Sequence, residues 1–198
     1  MIVNSIFPTA IGIERDFFIN DKEKLINEIN WKTDKSLQGN FYQSETNLQL
    51  KKNWKLIFDN FIMFANIFVE NLGFATNNLF VTQAWLNYMP KNSFIDWHYH
   101  SNSFISGIYY MKSTCNEGTL FQNVNNPLNF FIQTEIAKDT EYNANVYKVN
   151  GVENTLILFP SYITHCSEIA NDDRYTIAFN IMPKVLGKEN HFNYLKIK

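Results

Sequence analysis

Several features are scarce in this sequence, and each scarcity closes a class of function. The 198 residues include only two cysteines, Cys115 and Cys166, so we expect a reduced, cytoplasmic protein with free thiols and no disulfide framework. The chain opens Met1-Ile2-Val3-Asn4 without a basic region leading into a long apolar run, so no export signal is expected. Nowhere do apolar residues approach the ~18 in succession that a membrane-spanning helix needs. A soluble chain without a membrane partner follows. Lys+Arg 17 against Asp+Glu 19 gives a formal charge of −2, with no basic block or Arg-rich stripe. A phosphate backbone would meet no positive surface, so extended nucleic acid is not an expected partner. Repeats, low-complexity tracts and linkers are missing too, which leaves residues 1–198 as one domain, with 79–198 as its core and 1–78 as supporting strands and helices.

What is present is enough to build that domain. Hydrophobic residues make up 45% and aromatics 16% of the chain, and a chain of this size buries about 70% of the surface its unfolded form exposes. Residues Ile2 to Phe18 alternate imperfectly around Pro8 and Gly12, which suggests two short strands or one bent strand. Asn20 with Glu23 reads as a capping box for a short helix from Asp21 to about Ile29, and Trp31 to Ser44 as a loop packed on through Trp31, Phe41 and Tyr42. Thr46 with Gln49 is a second capping box, Gly73 a terminator, and between them Trp54, Ile57, Phe58, Phe61, Ala65 and Phe68 form an apolar stripe at helical spacing. A long helix packed on a sheet is expected there.

From Leu79 onward the period becomes that of strands. The expected segments are Leu79 to Met89, Phe104 to Met111, Gly118 to Phe121, Phe130 to Ile136, Asn145 to Val149, Thr155 to Phe159, His165 to Ile169, Arg174 to Met182 and Phe192 to Ile197. Many short, turn-punctuated strands after helices predict a mainly β fold with supporting N-terminal helices, a double-sheet jelly roll.

The chain has four histidines, and three sit in two places. His98 and His100 stand at i and i+2, so in an extended segment both project to one side. His165 lies far downstream, and a neighbouring strand could bring it to the same face. Arg174 follows nine positions later. Three imidazoles on one face suit iron or zinc, and each could also be an ordinary satisfied polar side chain.

The ordered elements His98/His100, Ser106-Gly107-Ile108-Tyr109-Tyr110, Phe159-Pro160-Ser161, His165, Arg174 and Phe179-Asn180 resemble those of the non-haem iron, 2-oxoglutarate-dependent oxygenases. The resemblance runs from about Ala84 to Pro183, with an echo in Ser5 to Thr9. It implies a double-stranded β-helix, the cupin-like jelly roll, with Fe(II) and 2-oxoglutarate as cofactors. It further implies O2 and an unidentified substrate as reaction partners, with hydroxylation coupled to release of succinate and CO2.

Carried over residue by residue, His98 and His165 become metal ligands. The third family position is commonly a carboxylate, whereas here it is His100, with Asp96 and Glu168 as carboxylate rivals. Arg174 matches the arginine that meets the distal carboxylate of 2-oxoglutarate, and its planar fork suits that task. Its alternative is a surface salt bridge. Thr176 would share the strand face of Arg174 and donate to the same carboxylate, and Tyr110 resembles a tyrosine serving that end. Tyr109 would then face the core. Asn87 and Asn180 could bond the cosubstrate, orient a ligand, or be satisfied core amides. Cys166, next to His165, is expected to face away from the metal. The stretch from Cys115 to Asn154, rich in Asn and aromatic residues, reads as a lid or as scaffold.

Two alternatives stay open from the sequence. One is a cupin-like three-histidine dioxygenase without 2-oxoglutarate, and the other is a jelly-roll protein that binds metal, zinc included, without turnover. A homodimer is the default assembly.

Overall fold

A computed structural model describes residues 1–2, 8–33, 40–75, 78–114, 116–123, 135–138, 140–187 and 195–197. The alternating stretches become strands with bounds close to those expected. In chain order the strands are β1 Gly12–Glu14, β2 Lys32–Thr33, β3 Tyr42–Gln43, β4 Leu79–Met89, β5 Ile105–Lys112, β6 Thr119–Gln122, β7 Val146–Val149, β8 Leu156–Pro160, β9 His165–Ser167, β10 Arg174–Pro183, β11 Val185–Leu186 and β12 Leu195–Lys196. Helices α1 Lys22–Asn27 and α2 Lys55–Asn71 precede β4. Residues 130–134 of the expected strand Phe130 to Ile136, the start of Phe192 to Ile197 and the echo Ser5 to Phe7 lie outside the described residues, and Glu135 and Ile136 are not in a strand.

Two sheets carry the architecture. The large one has seven strands in the order β1-β8-β5-β10-β4-β3-β2, and the small one has β7-β6-β9. Every recorded pairing between strands is antiparallel. This is the mainly β, double-sheet jelly roll that the strand pattern predicts.

One face of the large sheet packs on α2. Ile57, Phe58, Phe61, Ala65, Phe68 and Val69 of the helix are buried, and Phe61 stacks on Phe179 of β10 with ring centroids 4.7 Å apart. Tyr109 joins that core, buried between Phe17 and Phe61, with its hydroxyl donating to the Phe17 carbonyl at 2.7 Å. Fully burying an aromatic side chain contributes about 2–3 kcal/mol. This helix–sheet contact therefore anchors the central strands whose opposite face carries the site.

The helix starts need correcting. At α1 the cap is Asp21, in the left-handed region with no side-chain cap hydrogen bond, and the Glu23 carboxylate instead accepts from Lys112 at 2.7 Å. At the second box, Thr46 gives its carbonyl to Ala84 of β4 and Gln49 donates to the Thr82 carbonyl. Tied to β4 in this way, the segment passes through two 3-10 turns, Leu48–Leu50 and Lys52–Trp54, before α2 begins. Gly73, at φ 80, ends α2 as expected, a conformation that costs glycine little. The expected loop from Trp31 to Ser44 instead contributes the edge strand β2 and its neighbour β3, which pair through Lys32–Gln43 and Thr33–Tyr42.

The register explains why two sequence motifs travel together. On adjacent strands, Gly107 of β5 lies opposite Phe179 of β10, and Ser106 lies opposite Asn180. A Cβ added at Gly107 would come within 2.0 Å of the Phe179 ring. The glycine makes room for the ring that α2 packs against. Gly107→Ala is expected to lower stability by about 1–3 kcal/mol, the usual cost of overpacking. Urea unfolding measures it, and a wild-type midpoint would contradict this reading of the contact.

Candidate metal and cosubstrate site

Alternation places every second residue of the central strands on the face opposite α2. On that face Thr176 of β10 has Asn87 of β4 on one side and Tyr110 of β5 on the other, and Asn180 has Gln83 and Ser106 in the same relation. Arg174 opens the series at one end of β10. With the small sheet across from them, all of these but Ser106, which is buried behind His100, border a cavity of about 410 Å³ that His98, His100 and His165 also line.

Backbone pairing brings the three histidines together. The His98 amide donates to the His165 carbonyl at 2.9 Å and the His165 amide to the His98 carbonyl at 2.8 Å, while His100 donates to the Ser161 carbonyl at 3.0 Å. The sequence reading of one shared face holds through this antiparallel bridge, outside the named strands. One nitrogen from each ring lies within 4.8 Å of the others.

Each ring is also oriented from behind. His98 donates from Nδ1 to the Asp96 carbonyl at 2.7 Å, and His165 from Nδ1 to the Ile163 carbonyl at 3.0 Å. His100 donates from Nδ1 to Asn180 Oδ1 at 2.6 Å, with Ser106 Oγ at 2.9 Å. Because a carbonyl oxygen can only accept, the proton belongs on Nδ1 in all three. Each Nε2 then keeps its lone pair, as a metal ligand requires. The donor set fits a divalent transition metal held from one side.

Burial reinforces the neutral state. It lowers the pKa of all three rings, to about 4 for His100 and about 3 for His165. Unfolding returns them to about 6.5, so below that pH the unfolded chain binds protons that the folded chain refuses. Stability of the metal-free protein is therefore expected to be greatest above pH 6.5 and to fall as the pH drops toward 4. A urea midpoint lower at pH 5 than at pH 7 is the expected result. Equal midpoints would contradict it.

The rival carboxylates are engaged elsewhere. Asp96 accepts from the Trp97 amide at 2.7 Å, and Glu168 accepts from the Gly118 amide at 2.8 Å and from Lys148 at 2.6 Å. Among the described residues, the group able to hold an ion is the three histidines.

Arg174 is 1% exposed, not the surface salt bridge that sequence alone allowed. Its guanidinium donates to the carbonyls of Glu117 and Glu168 and approaches Met89 Sδ at 3.3 Å, while its Nε has no partner among the described residues. No salt bridge recorded among the described residues involves it. A buried cation without a carboxylate is costly, and this one borders the cavity. Its environment is that of an anion receptor. Tyr110 lies beside it, 5.7 Å from ring centre to guanidinium carbon, and its hydroxyl bonds Thr119 Oγ1 at 2.8 Å. Thr176 and Asn87 line the same cavity, and Asn87 Oδ1 accepts from Gln43 at 3.2 Å.

Several cavity residues escaped the sequence reading. Gln83, Trp85 and Phe41 line it; the alternation of β4 carries the first two, whereas Phe41 lay in an apparent loop. Ser106 and Ser161 were visible as motif members without a role, and both are buried behind His100. Cys166, expected to face away, borders the cavity. Its thiol is free, and burial pushes its pKa up to about 11. Cys115 and much of the candidate lid, including Asn125, Asn126, Asn129, Phe130, Phe131 and Gln133, lie outside the described residues.

With this geometry established, similarity to known proteins can be weighed. Residues 83–180 match the profile of a family described as "Putative 2OG-Fe(II) oxygenase". No curated protein matches the sequence. Among solved structures, an oxidoreductase of the 2OG-Fe(II) oxygenase family from Burkholderia pseudomallei aligns with TM-score 0.62 and 11% identity, over 87% of this chain and 85% of that one. A Pseudomonas putida prolyl-4-hydroxylase gives 0.57 and 11%, over 87% and 92%. HygX from Streptomyces hygroscopicus, solved with nickel and 2-oxoglutarate bound, gives 0.58 and 10%, over 96% and 93%. At such identities the structural likeness establishes the fold, and the family profile covers His98, His100, His165 and Arg174.

Proposed function

The chain belongs to the 2OG-Fe(II) oxygenase family, and from that premise we propose that His98, His100 and His165 hold its iron(II) while Arg174 receives the distal carboxylate of 2-oxoglutarate. It is an iron(II)- and 2-oxoglutarate-dependent oxygenase. The observation that carries the residue assignment is the pairing of two unmet needs in one cavity: three convergent imidazole nitrogens and a buried guanidinium with no counter-ion among the described residues.

Iron(II) and 2-oxoglutarate together supply oxidative decarboxylation of the cosubstrate by O2, yielding succinate and CO2 and hydroxylating a C–H bond of a second substrate. The protein's part is orientation. The Nδ1 hydrogen bonds fix the three rings, Arg174 offers a carboxylate its positive charge and an Nε–H that has no partner among the described residues, and Thr176 and Tyr110 bring hydroxyls to its side of the cavity. Asn87, beside Thr176, positions an amide toward the same space, while Asn180 serves the metal side through His100. The cavity's aromatic and amide walls limit access of water to the reacting centre.

An all-imidazole set carries one negative charge fewer than the commoner pair of histidines with a carboxylate. Binding a dianionic cosubstrate balances the ion's charge more closely here, so the metal and 2-oxoglutarate are expected to reinforce one another. Among the described residues no helix is long and apolar enough to cross a membrane. A cytoplasmic enzyme acting on an unidentified substrate, folded over 1–198 as one oxygenase domain, is the reading these features support. Homodimerisation rests on the general frequency of symmetric pairs.

Chelation by an α-keto acid gives iron(II) a visible charge-transfer absorption, which tests the proposal without knowledge of the second substrate. Adding 2-oxoglutarate to the anaerobic iron(II) protein is expected to produce this band, and Arg174→Met is expected to require much more cosubstrate for it. A folded, iron-loaded protein that stays colourless at saturating 2-oxoglutarate would contradict the assignment.

A further inference from the structure

We infer that Asn180, with Ser106, acts as the positioning pair that makes His100 a usable metal ligand, fixing its proton on Nδ1. The inference rests on the proposed metal site and extends it to residues behind the ligands. His98 and His165 are held by backbone carbonyls of Asp96 and Ile163, which come with the local chain path. His100 differs, because its acceptor is a side chain from another strand, Asn180 Oδ1 at 2.6 Å. Ser106 Oγ lies 2.9 Å from the same Nδ1 and donates to the same Oδ1 at 3.1 Å.

The arrangement is buried and braced. Ser106 is 0% and Asn180 6% exposed. Ser161 Oγ bonds Ser106 at 2.8 Å and Ser103 at 2.9 Å, and Asn180 Nδ2 reaches Gln83 Oε1 at 3.5 Å. Three motifs from separate parts of the chain thus meet behind His100: Ser106 from the Ser-Gly element contacts its Nδ1, Ser161 from the Phe-Pro-Ser element braces Ser106, and Asn180 from the Phe-Asn element contacts the same Nδ1. Cross-strand register accounts for the first and third, since Ser106 and Asn180 face one another.

The chemistry explains the need. A carboxylate at the third position presents an acceptor oxygen without any choice of tautomer. Imidazole has two tautomers, and the one common in water carries its proton on Nε2, the nitrogen required for the metal. A fixed acceptor at Nδ1 selects the other form and sets the ring plane. Asn180 supplies that acceptor without adding charge.

The test uses the full chain with isotope-labelled imidazoles and cobalt(II) as the probe metal. Long-range imidazole NMR on the metal-free wild type is expected to show His100 with its proton on Nδ1. In Asn180→Leu that proton should move to Nε2, cobalt(II) affinity should fall about 10–100-fold, as for other partners behind metal ligands, and the visible ligand-field spectrum should change. Asn180→Asp keeps an acceptor and is expected to restore the Nδ1 proton, the affinity and the spectrum. Ser106→Ala, a milder change, should raise the Nε2-protonated fraction. A purely structural role would lower thermal stability in these variants while leaving tautomer and spectrum alone, and that result would overturn the inference, whichever of the variants folds. Wild type that binds cobalt(II) while Asn180→Leu keeps both tautomer and affinity overturns the positioning role alone. Wild type with the Nδ1 proton that takes up no cobalt(II) overturns the metal site itself, and this role with it.

Discussion

Arg174→Met is expected to weaken 2-oxoglutarate binding by about 30-fold to several thousand-fold, with iron(II) binding unchanged. The estimate follows from the cost of removing one partner of a buried, hydrogen-bonded charge pair, about 2–5 kcal/mol, at 1.4 kcal/mol per tenfold change in affinity. The guanidinium is 1% exposed, and its recorded acceptors are backbone carbonyls rather than carboxylates. Methionine keeps much of the apolar length beside Met89 and Tyr110 but leaves the cosubstrate's distal charge unmatched. Arg174→Lys provides the contrast. It preserves charge without the bidentate fork and should lose less affinity than Met, yet remain weaker than wild type. Competition against the charge-transfer band measures both. Wild-type affinity in Arg174→Met would remove Arg174 from the cosubstrate site.

His165→Gln is expected to lose more iron(II) affinity than the ~10–100-fold typical of removing a partner behind a ligand, because a direct bond is lost. His165 is the most buried of the three histidines, seated against Phe159 and Phe121 with ring centroids 4.7 Å and 5.9 Å away. Glutamine fills much of that volume, so the effect should appear in metal binding well before it appears in folding. Calorimetric iron(II) titration together with a thermal scan separates the two. Unchanged affinity in a well-folded variant would exclude His165 as a ligand.

Local periodicity carried much of this account, and side-chain topology carried the rest. The strand β4 occupies Leu79–Met89 as its alternation predicts, and the stripe from Trp54 to Phe68 is the buried side of α2 and the turn before it. Helix starts were misread because a capping pattern is a local signal. Thr46 and Gln49 are spent on β4, a tertiary contact invisible in a three-residue spacing. Strands β2 and β3 escaped notice because two-residue strands are too short to show a period.

At the site, His98, His100, His165 and Arg174 were legible from type and order. Their burial and partners were not. The spacing of Arg174 after His165 could not distinguish a surface pair from a buried cation, because that depends on β10 lying centrally between β4 and β5. Asn180 illustrates the same limit. Sequence left it between cosubstrate, ligand support and core, and the contact with His100 depends on a register of β5 against β10 that no local pattern encodes.

In the proposed site one cavity joins a three-histidine metal centre to a carboxylate receptor. Calorimetric titration of 2-oxoglutarate into anaerobic wild-type protein, once loaded with iron(II) and once metal-free, tests it most directly. Saturable one-to-one binding is expected in the loaded protein, and far weaker binding without metal. Failure of the folded, loaded protein to bind 2-oxoglutarate, or binding that ignores the metal, would contradict it.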